Sequence, residues 1–184
     1  MAGFNLDLGQ SSSDHNGQLE SYSVAVGHAT LLAPGDVVVL TGTSSVEGIA
    51  SVDAAAQGAA MSGVIAGIEP LFTGENLTQT GLPASTAGTV RCHIDPNLNF
   101  IVECSAALSA VDVGLNADAA VTAASASGGL TVSNMKLDSA TKAGTATLQF
   151  RIVGLVPNSA GVVDGLTARV RINNSTIRAG AAGV

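Results

Sequence analysis

His15, His28 and His93 are the only imidazoles in the 184-residue chain, so base catalysis or metal ligation near neutral pH would have to start from them. None stands in a motif that would use it. His93 follows Cys92, but adjacent strand residues point to opposite faces and cannot share a metal ion. His28 closes a predicted strand, and His15 sits beside Asp14 in a polar opening stretch, so all three read as surface or strand-face side chains. Asp95-Pro-Asn-Leu-Asn99 imitates the opening of a calcium loop, yet Phe100 occupies the position that requires Gly and no Glu closes the loop. The stretch therefore reads as a turn. There is no G-x-S-x-G, P-loop or G-x-G-x-x-G, and no nucleophile and base pair, so no enzyme class is indicated and no cofactor is implied.

The element that must position these residues is a predicted hairpin over 89–105. Val90, Cys92 and Ile94, then Phe100, Val102 and Cys104, alternate with polar neighbours at the period of a half-buried strand. With Asp95–Asn99 as a five-residue loop, Ile94 faces Phe100, Cys92 faces Val102 and Val90 faces Cys104, while Arg91 faces Glu103. Cys92 and Cys104 are then diagonal neighbours, about 7–8 Å apart, and are expected as free thiols.

Charge is unevenly distributed along the chain. Residues 1–135 hold twelve acids and one base, Arg91, whereas 136–184 hold six bases and two acids. Arg151, Arg169 and Arg171 lie at outward positions of two clear strands, 145–152 and 166–173, with Gln149 on the same predicted outer face. No aromatic side chain interleaves these arginines, so they suggest contact with an acidic protein surface rather than nucleic acid. Oppositely charged ends would also let copies pack end to side.

The remaining chain reads as all-β. Residues 1–20 form a polar arm whose regular apolar positions are Phe4, Leu6 and Leu8, expected to order against a neighbour. A strand follows with Tyr22, Val24 and Val26 on one face. Pro34-Gly35-Asp36 turns into a buried strand, and the Gly-punctuated segment near 58–68 favours a strand with a bulge or close backbone contact over a helix. Residues 106–127 read as loop and short strand, and 130–137 as a strand whose phase shifts near Ser133-Asn134. The expected organisation is an arm over 1–20, a small twisted β unit over 21–88, an antiparallel β unit over 89–176 and a fraying tail over 177–184. No basic leader or long apolar run suggests export or a membrane span, so neither a membrane nor a glycosylating route is expected.

Asp95-Pro-Asn-Leu-Asn-Phe-Ile-Val-Glu103, Asp112-Val-Gly-Leu-Asn-Ala-Asp118, and Leu137-Asp-Ser139 followed by Thr147-Leu-Gln-Phe-Arg-Ile-Val-Gly-Leu155 and Ala168-Arg-Val-Arg-Ile-Asn-Asn174 occur in that order. Together they resemble a family of tailed-bacteriophage virion proteins of the head decoration, or cement, type. Pro34-Gly-Asp-Val-Val38 and Ser62-Gly-Val-Ile-Ala-Gly67 are similar in layout to the β-tulip of such proteins. The resemblance covers most of 22–176 and carries no catalytic residue. It implies a homo-oligomer, a trimer in related proteins, placed on the outside of an icosahedral head and bound to the major capsid protein. Phe4, Leu6, Leu8, Arg151, Arg169 and Arg171 would be its contact residues. A tail or fibre module binding carbohydrate or a receptor is the alternative, disfavoured by one Tyr and no Trp for stacking on sugars.

Overall fold

The computed structural model describes residues 3–7, 19–70, 80–176, 180 and 183. Fourteen strands run in order through it: β1 (Asn5–Leu6), β2 (Leu19–Val24), β3 (Val37–Ser44), β4 (Ala50–Ala54), β5 (Gly63–Ile68), β6 (Gly88–His93), β7 (Asn99–Glu103), β8 (Asn116–Ala117), β9 (Ala119–Ala120), β10 (Ser125–Ser127), β11 (Leu130–Val132), β12 (Lys136–Leu137), β13 (Phe150–Leu155) and β14 (Thr167–Ile172). A 3-10 turn, Ala110–Asp112, is the one helical element among the described residues. The protein is all-β, as its alternating patterns predict.

Strands β2-β4-β3-β5-β6 close into a barrel, and β1-β7-β14-β13-β8 form a separate antiparallel sheet. The two are joined by strands that serve two cores at once. In β3, Val38 points into the barrel while Val37 packs with the sheet; in β5, Ile65 and Val64 divide the same way. Period-two alternation thus explains why Val37-Val38 and Val64-Ile65 are unbroken apolar pairs: both faces of these strands are buried. The barrel core is small and mostly aliphatic, with Val24, Leu32, Val52, Leu82, Val90 and Cys92. The sheet core is larger and holds Phe4, Phe100 and Phe150.

The predicted hairpin over 89–105 does not form. Strand β6 pairs β2 and β5 inside the barrel, whereas β7 pairs β1 and β14 in the sheet. Asp95 still makes the turn, accepting Asn97 N at 2.8 Å on Oδ1 and Leu98 N at 3.2 Å on its carbonyl, but this turn passes the chain from one unit to the other. The first unit therefore runs through His93 rather than ending at Gly88. Arg91 pairs with Glu69, Nη2 to Oε1 at 3.2 Å, and Glu103 with Lys136 at 3.4 Å, in place of the expected Arg91–Glu103 pair. Cys92 and Cys104 are both free and buried, yet in different cores, so the diagonal register invoked for them is not the reason.

Two further expectations are corrected at the strand preceding Phe150. The carbonyls of Thr145, Ala146, Thr147 and Leu148 accept from Asn116, Asn173 and Asn174 side chains at 2.8–3.0 Å, so side-chain amides replace a ladder there and β13 starts only at Phe150. Gln149 is fully buried instead of outward-facing. Its amide donates to the Ala56 and Ala59 carbonyls at 3.1 and 3.0 Å and accepts from Ala119 N at 2.9 Å, which ties the sheet to the β4–β5 loop. In the tail, Gly183 N donates to Gly144 O at 3.0 Å, and a Cβ on Gly180 would overlap the Ala146 carbonyl, so these two residues are seated rather than frayed.

Candidate functional site

The outer face of the open sheet collects the arginines. Cross-strand register aligns Asn99 (β7), Arg171 (β14), Arg151 (β13) and Asn116 (β8) in a single row. The flanking asparagines brace the guanidiniums: Arg171 Nε donates to Asn99 Oδ1 at 3.3 Å and Arg151 Nε to Asn116 Oδ1 at 3.4 Å. Asn116 is buried, so its carbonyl oxygen holds Arg151 from inside the fold. Holding Nε orients each planar fork, and at Arg171 it lowers the entropy lost when the remaining N–H groups bind an oxyanion. Like charges placed directly opposite on neighbouring strands cost stability, which a bound anion would relieve.

Arg169 belongs to the next row, opposite Ile101, which in turn faces Asn5. It is engaged by the Asp7 carboxylate in an ion pair whose side chains are 25% and 5% exposed. Among the described residues no acidic side chain forms an ion pair with Arg171, whereas Lys136 meets Glu103 and Lys142 meets Asp112, Nζ to Oδ2 at 2.9 Å. Lys142 and Ser109 together hold the Asp112 carboxyl down at about 2. The acids that neutralise these bases, Asp7, Glu103 and Asp112, come from the acidic part of the sequence and fold into the sheet unit. The charge contrast along the chain therefore does not become two opposed poles. What survives is local, at Arg171.

Of the expected contact residues, Arg151, Arg169 and Arg171 share one face, but Phe4 does not reach a partner surface. It is 2% exposed within its own chain, stacked on Phe150 with ring centroids 4.4 Å apart. Leu6 is half-buried against the same core. Leu8 and His15 lie outside the described residues. The arm expectation is corrected accordingly: residues 3–7 are part of the sheet unit, because Phe4 completes an aromatic core that β7 and β13 leave open. Asp7, Asn99 and Asn116 carry no sequence signal of these roles, since an Asn or Asp in an expected turn, loop or arm does not show which arginine it will meet on a strand distant in sequence.

Nothing else among the described residues assembles a reactive group. Among the described residues no cluster of three or more His, Cys, Asp or Glu side chains could hold a metal ion, and no helix is long and apolar enough to cross a membrane. Cys104 lines a cavity of about 270 Å³ with Glu103, Lys136, Leu166 and Thr167. Burial, with a contribution from the Glu103 charge, pushes its thiol up to about 11, and burial pushes Cys92 up to about 12, so neither is a nucleophile at neutral pH. Compared with family models, curated proteins and solved structures, the chain finds no match.

Proposed function

We propose that this chain is a structural protein of a tailed-phage virion, which binds the outer surface of the assembled capsid and cements neighbouring capsomers. The observation that carries the reading is the braced Asn99–Arg171–Arg151–Asn116 row on an open sheet face. The oriented Arg171 guanidinium suits a carboxylate on a protein surface, and a flat β face suits contact by area rather than by a pocket. The order of motifs that resembles head decoration proteins supplies the partner, the major capsid protein, and the location, the head exterior. Mechanically, each copy would contribute a weak contact that repetition over the shell makes strong, with no catalytic step and no cofactor.

Binding to purified heads lacking the protein tests this. Arg171→Glu should reduce occupancy by at least about tenfold at physiological salt while leaving the folded spectrum unchanged, since one reversed charge is repeated at every site. Arg171→Lys should be intermediate because it keeps charge but loses the fork. Unchanged occupancy with Arg171→Glu would remove the face from the proposal.

A further inference from the structure

Residues 3–7 behave as a ligand that happens to be covalently attached. Gly3 sits where a Cβ would come within 2.6 Å of the Ser133 side chain and 2.9 Å of the Gly35 carbonyl, so only glycine fits. Phe4 is the anchor: its ring stacks on Phe150 and its N–H donates to Gly35 O at 2.9 Å. Asn5 and Leu6 add a two-residue strand to the edge of β7, opposite Ile101 and Phe100. Asp7 closes the segment, with its N–H on Asn99 O at 2.8 Å and its carboxylate on Arg169. Backbone pairing at a sheet edge, an aromatic anchor and a charged end are the ingredients of peptide recognition by strand addition.

We propose that this slot is a peptide-binding site whose second ligand is the residue 3–7 segment of another copy of the chain, exchanged strand for strand. The contacts are identical in cis and in trans, so the two states differ only in how the segment is delivered. Delivery in cis runs through eleven residues, 8–18, of which Leu8 is the only large apolar one. Such a connection spans at most about 40 Å when extended and supplies its own slot at an effective concentration of about 1 mM. A dilute chain keeps its own segment. Copies held side by side at millimolar local concentration trade segments, and each trade links two protomers by a buried Phe and an ion pair. The inference does not depend on the capsid reading, since it concerns contacts between copies.

Asn5 and Ile101 are register partners, and opposed antiparallel residues have Cα atoms within disulfide range, which provides the test. A size-tagged full-length Asn5→Cys chain and an untagged Ile101→Cys chain are mixed at about 1 mM and oxidised, then run under non-reducing conditions. A tagged–untagged covalent dimer is expected, absent from a parallel mixture at about 1 μM. Adding Phe4→Ala to the tagged chain should abolish it. The proposal is overturned if the double variant on one chain closes its internal disulfide while the concentrated mixture gives no dimer, or if the dimer persists with Phe4→Ala. Failure of the double variant to close would equally overturn it, by removing the register on which the slot rests.

Discussion

The barrel and the open sheet solve the same edge problem in different ways. In the barrel every strand has a neighbour on both sides, and the remaining seam, between β2 and β4, is a single parallel pair, Ser23 and Ser51, whose hydroxyls lie 2.6 Å apart. Closure removes edges and with them any ladder to offer a partner. The sheet stays open, ends in the two-residue strands β1 and β8, and fills its core with aromatics contributed by distant parts of the chain. The barrel is thus closed, and the two surfaces proposed for recognition, the arginine row and the β1 slot, belong to the sheet.

The largest effect expected from breaking this contrast is at Phe150. Phe150→Ala removes the floor on which Phe4 stacks and should destabilise the protein by about 3–5 kcal/mol in denaturant unfolding. Because Val37 and Val64 weld the barrel to the same core, the loss should appear in one cooperative transition and not as a separate melting of the sheet. Two resolved transitions would show that the units are energetically independent.

Next in size is the junction beneath the β1 segment. Asp36 is buried; its Oδ2 accepts Ala33 N at 2.8 Å, while Oδ1 has no hydrogen-bond partner among the described residues. Burial raises its carboxyl to about 6, against the opposing pull of the Ser133 hydroxyl and the Ala33 amide. With the folded pKa above the unfolded one, the protonated side chain contributes stability that is full below about pH 4 and is lost as pH rises through about 6. Asp36→Asn, neutral at every pH, should therefore raise stability at pH 7.5 by up to about 3 kcal/mol and change it little at pH 4. His93, whose ring meets Phe100 edge-on and whose pKa burial lowers, has the opposite slope, losing stability as pH falls below about 6.5. With Asp36 replaced, that His93 slope should emerge in thermal melts from pH 4 to 7; a flat profile would count against it.

The smallest effect is expected at the barrel surface. Arg91 and Glu69 form an ion pair with side chains 57% and 43% exposed, and Glu69→Gln should cost no more than about 0.5 kcal/mol. A loss above 1 kcal/mol would mean that the pair helps close the β5–β6 seam.

Much of this architecture was legible in the chain. The alternation at Thr167–Ile172, the turn at Pro34-Gly35-Asp36 and the all-β class follow from local periodicity and turn chemistry, whereas the single phase-shifted strand expected over 130–137 is split into β11 and β12, which pair with different strands. The arginines were correctly placed on an outward face for the same reason. Their asparagine braces and Asp7 were not, because those contacts join positions separated by 35, 72 and 162 residues.

The sequence by itself determined the all-β class and the inward positions of strands such as Thr167–Ile172, since side chains alternate with period two whatever the partner. Only the tertiary structure decided the partners. Val90 and Cys92 turned into the barrel while Phe100, Val102 and Cys104 turned into the sheet, and Phe4 left the presumed arm to stack on Phe150. An apolar face lowers its free energy by leaving water and is indifferent, to first order, to which apolar face it meets. Closure of the barrel, which takes both edges of β6 and leaves β7 to a different sheet, settles that choice.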